Sequence, residues 1–276
     1  MSTIATLLAE ARETIAPLDA EALMAHLLAK PRSHLRAWPE HQLDPQQRAA
    51  FHQLVARRAA GEPLAYLTGW REFWSLMLQV NRATLIPRPD TELLVEQALN
   101  LIPTDAQWRI ADLGTGSGAI ALAIASERPH CHLVATDICP EALAMAQANA
   151  HRLGLDNVAF RQGDWQEALQ GEAAFNLIAC NPPYIDADDA HLKRDGLPYE
   201  PQQALTPGPD GLAALRSIIA QAGSHLCMSG WLLLEHGYNQ ADAVQTLLRQ
   251  QGYTGVDTRR DLGDQARLTL GQWRPS

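Results

Sequence analysis

Basic clusters, paired cysteines and long apolar runs are what this chain lacks. No block of Lys and Arg interrupts its 276 residues, and 22 basic against 31 acidic side chains leave a formal net charge of −9. A protein that grips nucleic acid through its phosphates ordinarily presents a basic face, so stable nucleic-acid binding is not expected. The four cysteines (Cys131, Cys139, Cys180 and Cys227) have no Cys-x-x-Cys spacing and lie in or beside apolar segments. That suits reduced, buried thiols in a reducing compartment. No apolar run approaches the length of a membrane span. Glu10, Arg12 and Glu13 follow Met1 to Leu8 before the core of an export signal could form. The expected location is cytoplasmic, without membrane attachment. Internal repeats and low-complexity segments are absent as well. Metal ligands are not expected, because His-Glu-x-x-His is missing. Asp186, Asp188 and Asp189 read as a solvated loop, and His130-x-His132 as a strand-edge pair.

What is present belongs to a globular protein with ample core: 46% hydrophobic and 19% charged residues. From Ser2 to about Leu67 the pattern is helical. Ile4, Leu7, Leu8, Ala11 and Ile15 make one apolar stripe. Asp19 is expected to cap a second helix that Pro31 stops, and Asp44-Pro45 to open another. Three or four short helices, over residues 1–70, would make a small bundle, either a packing module or a platform for a macromolecular partner. Residues 71–89 are expected to form a linking β-hairpin. Alternation from Trp74 to Val80 reads as a strand, with a turn near Asn81 and a second strand at Leu85-Ile86. Asp90 is the expected cap of the helix that follows.

Residues 90–276 alternate strand and helix. The strands are expected at Arg109–Leu113, His132–Thr136, Val158–Gln162, Phe175–Cys180, Trp231–Glu235, Gly255–Thr258 and Ala266–Leu270. Helices fall between the first six, and only a turn near Gly263-Asp264 separates the last two. The expected fold is α/β: a doubly wound, mostly parallel seven-stranded sheet with one antiparallel edge strand, joined to the helical bundle.

Four strand ends carry chemistry. The first opens into Asp112-Leu113-Gly114-Thr115-Gly116-Ser117-Gly118, where glycines let a ligand approach backbone N–H groups at a helix start. Spacing alone leaves a dinucleotide loop open, since Ala119 is also small. Asp112 would repel a pyrophosphate but could bind an ammonium group. The second strand ends in Asp137, placed to accept from both hydroxyls of a ribose, or else to cap the next helix. The third ends in Gly163-Asp164-Trp165, an acid for an exocyclic amine and a ring for a purine, or else a loop acid and a core Trp. The fourth ends in Asn181-Pro182-Pro183-Tyr184. Neither proline can donate a ladder hydrogen bond, so the strand stops in a stiff turn. Its Asn oxygen, free carbonyls and flat ring suit a planar nitrogen centre, whose N–H protons the oxygens accept. An ordinary strand-ending turn has the same residue types. His236 ends a fifth strand on the ligand side and could face the cleft or the core.

An amino acid, a ribose and an adenine laid along successive strand ends have the shape of S-adenosylmethionine. Residues 109–184 resemble the core of a class I S-adenosylmethionine-dependent methyltransferase, of Rossmann-like fold. Asn181 to Tyr184 are similar to the motif of amino-methylating members. Arg71-Glu72-Phe73-Trp74, Ile86-Pro87-Arg88-Pro89-Asp90-Thr91-Glu92, Asp112–Gly118 and Leu233-Leu234-Glu235-His236-Gly237 extend the likeness to the release-factor glutamine methyltransferases, the PrmC or HemK type. The resemblance implies N5-methylation of the glutamine in the Gly-Gly-Gln motif of class 1 peptide chain release factors, proteins of translation termination. It further implies cofactor contact by Gly114, Thr115, Gly116, Ser117, Gly118, Asp137, Trp165 and Asn181, to which the strand-end reading adds Asp112 and Asp164. Asn181, Pro182, Pro183 and Tyr184 would hold the target amide, with Phe73 and Arg88 also against the substrate. Asn181, Pro182 and Tyr184 are the expected catalytic groups, and residues 1–70 the substrate-recognition domain. A ribosomal-protein glutamine methyltransferase and an adenine-N6 DNA methyltransferase are the alternative expectations; the second would need a basic cleft.

Overall fold

The computed structural model describes residues 2–274 except Asp195. They divide into two compact units. The first comprises the chain up to Trp70 together with Lys193–Tyr199; the second comprises Arg71–Leu192 and the chain from Glu200 onward.

The first unit is a bundle of five helices rather than three or four: α1 (Ile4–Ala11), α2 (Pro17–Leu28), α3 (Arg32–Ala37), α4 (Pro45–Ala59) and α5 (Leu64–Thr68). The short α3 and α5 carry too few residues for periodicity to register. Thr3 caps α1, accepting from the Thr6 N–H at 3.2 Å, and Asp44 caps α4, accepting from Gln47 at 2.8 Å. Asp19 is not a cap. Pro17 takes the first helical position of α2, where its fixed φ fits and its missing N–H costs nothing. Asp19 therefore sits in the first turn, and its carboxylate accepts from Arg58 Nε at 2.7 Å. Pro31 likewise stands at the start of α3 instead of stopping α2, which ends where Ala29 turns left-handed. Ile4, Leu7, Leu23, Met24 and Phe51 fill the core of the bundle. Lys193–Tyr199 belongs here because Tyr199 Oη donates to the Ala60 carbonyl at 3.0 Å, and Gly196 packs where a Cβ would come within 2.9 Å of Pro63.

A hairpin of β1 (Trp70–Phe73) and β2 (Leu76–Gln79) leads into the second unit. Its turn is Trp74-Ser75, both at positive φ (52° and 59°), as a two-residue type I′ loop demands. The turn expected near Asn81 does form, with the Asn81 carbonyl accepting from the Thr84 N–H at 3.0 Å, but the strand at Leu85-Ile86 does not. Between Leu85 and two prolines no ladder can run, and the Ile86 N–H donates instead to Glu200 Oε2 at 3.0 Å. Asp90 makes no cap bond either; it lies in a single turn before α6 (Glu92–Leu101), 3.5 Å from Arg267.

The sheet then builds from β3 (Arg109–Leu113), α7 (Ala119–Glu127), β4 (His132–Asp137), α8 (Pro140–Leu153), β5 (Val158–Gln162), β6 (Phe175–Cys180), α9 (Ala213–Ala222), β7 (Leu226–Glu235), α10 (Ala241–Gln250), β8 (Tyr253–Arg260) and β9 (Ala266–Trp273). Its order is β5-β4-β3-β6-β7-β9-β8. The inner strands are buried on both faces: Leu177 and Ala179 of β6 join one core, and Phe175, Ile178 and Cys180 the other. The antiparallel strand is not at the edge. β9 runs antiparallel between β7 and β8, so β8 forms the edge. Leu268 and Leu270 of β9 are buried, whereas Asp257, Thr258, Arg259 and Arg260 make β8 a charged, polar edge that resists pairing with another chain.

Candidate active site

From β3 the chain winds outward through β4 to β5, then returns to lay β6 on the other side of β3. The reversal opens a crevice at the carboxyl ends of β3 and β6, where open α/β sheets hold ligands. Register pairs Leu113 with Cys180, so the glycine loop and Asn181 leave the sheet side by side. A cavity lies over these ends. Gly114, Gly116, Asp137, Asp164, Trp165, Asn181 and Pro183 all line it.

The loop is shaped for close approach. Gly116 has φ +57° with no atom within 4 Å of where a Cβ would stand, so its backbone faces open space. Gly118 has φ +89° and heads α7, where a Cβ would press within 2.9 Å of Leu122. Asp137 is fixed by two backbone donors: Oδ2 accepts from Gly116 at 2.8 Å and Oδ1 from Cys139 at 2.9 Å. Each oxygen keeps a second lone pair, so one carboxylate can both hold the loop and accept two further hydroxyls. Trp165 sits at φ +41°, an unusual conformation for a large side chain, and its ring packs where a Gly114 Cβ would be.

Asp112 does not line the cavity. It is 1% exposed, and its Oδ2 accepts from the Thr115 hydroxyl at 2.6 Å and the Ala121 N–H at 3.1 Å. It therefore braces the loop from beneath, with Thr115 and Ser117, which are also buried. Its Oδ1 has no hydrogen-bond partner among the described residues. Burial pushes this carboxyl up to about 7, against the two hydrogen bonds, with Asp137 adding repulsion. Burial raises Asp137 too.

Protons held by these acids in the native state but lost in the unfolded one make the free protein less stable as pH rises from about 4 through about 7. Thermal melts at pH 5 and pH 8 should show the lower midpoint at pH 8, with part of the difference gone in Asp112→Asn. A midpoint independent of pH would mean the acids are not buried as described.

The tetrapeptide splits in two. Asn181 and Pro183 line the cavity, whereas Pro182 is buried and Tyr184 lies to one side. The Tyr184 hydroxyl donates to Glu235 Oε1 at 3.0 Å, and the Asn181 Nδ2 donates to Thr91 Oγ1 at 3.1 Å, leaving Oδ1 for a ligand. Neither Phe73 nor Arg88, the two further residues expected against the substrate, lines the cavity. Phe73 is 1% exposed and packs with Leu78 and Leu94 in the core, because hairpin alternation turns it inward. Arg88 is partly buried and ion-paired with the buried carboxylate of Glu200. His236 is a core residue at 0% exposure, bonded to Gly237 O and to Thr269 Oγ1.

Sequence reasoning missed Ala83, Leu85, Ile138, Pro201 and Gln203 on the cavity wall, and Thr91 and Glu235 behind it. Thr91 and Glu235 stand inside quoted motifs and could have been found there. Nothing in the sequence pointed to Pro201 or Gln203. Among the described residues no group of three or more His, Cys, Asp and Glu side chains could hold a metal ion, and no helix is long and apolar enough to cross a membrane.

Comparison with known proteins follows the same division. Residues 2–69 match the family model described as the PrmC N-terminal domain, and residues 104–260 match a methyltransferase domain. The chain is 51% identical over 276 residues to a release factor glutamine methyltransferase of Pseudomonas aeruginosa, covering 99% of each. It is 49% identical over 255 residues to the Escherichia coli protein of the same name, covering 92% of this chain and 91% of that one. A methyltransferase structure from Pyrococcus furiosus shares the fold, with a TM-score of 0.55 over 80% of this chain and 98% of that one at 17% identity.

Proposed function

The chain belongs to the release factor glutamine methyltransferases, and on that premise we propose that Asn181 Oδ1 is the group that orients the reacting amide. The protein is a protein-glutamine N5-methyltransferase that uses S-adenosylmethionine. The observation that carries the proposal is the Asn181 side chain, whose Nδ2 is committed to Thr91 while its oxygen remains available at the cavity wall.

The residues fit the cofactor. Asp137 would accept the ribose hydroxyls with its two remaining lone pairs. Trp165 and Asp164 would flank the base, and the open backbone at Gly116 would meet the amino-acid portion. Bound there, the cofactor supplies an electrophilic methyl group.

An amide nitrogen is a poor nucleophile because its lone pair is delocalised into the carbonyl. The chain's contribution is therefore geometric. Asn181 Oδ1 and the Pro182 carbonyl would accept the two amide protons, drawing density toward nitrogen and aiming it; positioning of this kind lowers a barrier by itself. Tyr184, held by Glu235, would form the neighbouring wall. The target is read as the glutamine of the Gly-Gly-Gln motif in class 1 release factors, encountered in the cytoplasm and without stable nucleic-acid binding, in keeping with the net charge of −9. Labelled cofactor incubated with release factor, followed by peptide mapping, should place one methyl group on that glutamine. Label elsewhere, or on a ribosomal protein alone, would overturn the assignment.

The helical unit is proposed to recognise the protein substrate. A glutamine on a short loop offers little surface, whereas specific protein contacts bury roughly 800 Å² per partner. Every cavity-lining residue belongs to the other unit. A chain lacking residues 1–69, with 193–199 replaced by a Gly-Ser linker, should bind cofactor within about threefold of the full chain. Its KM for intact release factor should rise by two orders of magnitude or so, given that lost contact area. A folded truncate with unchanged KM would reject the recognition role.

A further inference from the structure

Three elements meet behind Asn181. Thr91 comes from the turn before α6, Asn181 and Tyr184 from the end of β6, and Glu235 from the end of the neighbouring β7. Thr91 and Glu235 are 4% and 2% exposed, so solvent plays no part in their bonding. The Tyr184 hydroxyl donates to Glu235 Oε1 at 3.0 Å. Asn181 Nδ2 donates to Thr91 Oγ1 at 3.1 Å. The Thr91 hydrogen then needs an acceptor of its own. Glu235 Oε2 is buried with no hydrogen-bond partner among the described residues, and Thr91 is among the groups that hold the Glu235 carboxyl down against the effect of burial.

We propose that Glu235 is a positioning residue: by drawing the Thr91 hydrogen toward itself it decides which way round the Asn181 amide sits. The reasoning is a count of donors. If Thr91 gives its hydrogen to Glu235, its oxygen can only accept from Asn181, so Nδ2 turns inward and Oδ1 faces the target amide. If Glu235 could not take that hydrogen, Thr91 would donate to Asn181 Oδ1 and the amide would turn over. Its NH₂ would then meet the N–H groups of the target, donor against donor, and a buried donor left unmatched is costly. The same carboxylate fixes the Tyr184 ring, so one acid sets two walls of the amide slot. This rests on the proposed role of Asn181 and adds what fixes its orientation.

The ionised form is the competent one, because two hydroxyls need two acceptors. Burial pushes Glu235 up to about 7, opposed by Thr91, Tyr184 and the Arg267 guanidinium, and reinforced by Asp90. Cys180 on β6 also faces this region and His236 directly follows Glu235; burial raises the Cys180 thiol and lowers the His236 imidazole. Acidification through about 7 should therefore release the Thr91 hydrogen.

The test uses the full chain. In Glu235→Gln only one oxygen remains for two hydroxyls. Its kcat on intact release factor should fall by about 30-fold or more, the loss expected of a misdirected buried hydrogen bond. The KM for release factor and the calorimetric Kd for S-adenosylmethionine should stay within about threefold, since neither reports the reacting geometry. At saturating cofactor, wild-type kcat should decline as pH falls through about 7, and the Glu235→Gln profile should lose that step. Thr91→Val should reproduce the loss, and Thr91→Ser should restore it. The double variant Thr91→Val/Glu235→Gln should be no worse than either single change, as expected of residues acting in one chain. Should Glu235→Gln fail to fold, the Thr91→Val and Thr91→Ser pair decides. Unchanged kcat in Glu235→Gln or in Thr91→Val, beside an active wild type, overturns the positioning role alone. A wild type that leaves the release-factor glutamine unmethylated overturns the functional reading instead.

Discussion

Replacing Asn181 by alanine should lower kcat by about three orders of magnitude, close to 4 kcal/mol of barrier. The affinity for S-adenosylmethionine should change only a few fold. The asymmetry follows from where the side chain spends its groups. Nδ2 is tied to Thr91 at 3.1 Å and contributes packing, whereas Oδ1 stands at the cavity wall with nothing yet to accept. Removing it would cost the reacting amide its aim and leave the proposed ribose and base contacts on Asp137, Asp164 and Trp165 intact. Because the charge on the amide nitrogen grows only as the methyl group is transferred, the lost interaction belongs to the transition state. Single-turnover rates with calorimetric affinities separate the two effects. Near-normal turnover in Asn181→Ala would sink the positioning mechanism.

Asp137→Ala should show the opposite pattern, weakening cofactor binding by about 2–3 kcal/mol, or roughly 30- to 150-fold. Two losses coincide. The ribose hydroxyls would lose the charged acceptor proposed for them, and the Gly116 N–H loses the oxygen that holds the loop at 2.8 Å. Asp137→Asn keeps the size and one acceptor, so it should fall between. Measured at saturating cofactor, kcat should recover to within a few fold of wild type, because nothing on Asp137 touches the target amide. Calorimetry returning an unchanged Kd for Asp137→Ala would remove this residue from the site.

The architecture was legible because its signals are local. A parallel strand buried on both faces is a continuous apolar run, and β3 and β6 were read to the residue from that alone. Asp137 and Asn181 stand where such runs end and Asp164 just past the edge strand β5, and strand ends on one side of the sheet must converge. The hairpin turn was misread because alternation shows a strand without showing where it starts. Trp74-Ser75 turns with two left-handed residues that are neither Gly nor Asn, so the usual turn chemistry was missing.

By itself the sequence determined the alternation of strands and helices, the helical unit before it, and the glycine loop, acids and Asn-Pro-Pro-Tyr turn that define the chemistry. These depend on periodicity and on side-chain type, which a linear chain carries in full. The tertiary structure decided which of those groups face the cavity and which stand behind it. It buried Phe73, slid β9 between β7 and β8, turned Asp112 into a brace, and paired Arg88 with Glu200 across 112 positions. It also joined Thr91 to Asn181 across 90 positions. Contacts at such separations have no period and no spacing, because they exist only once packed cores have brought remote segments together.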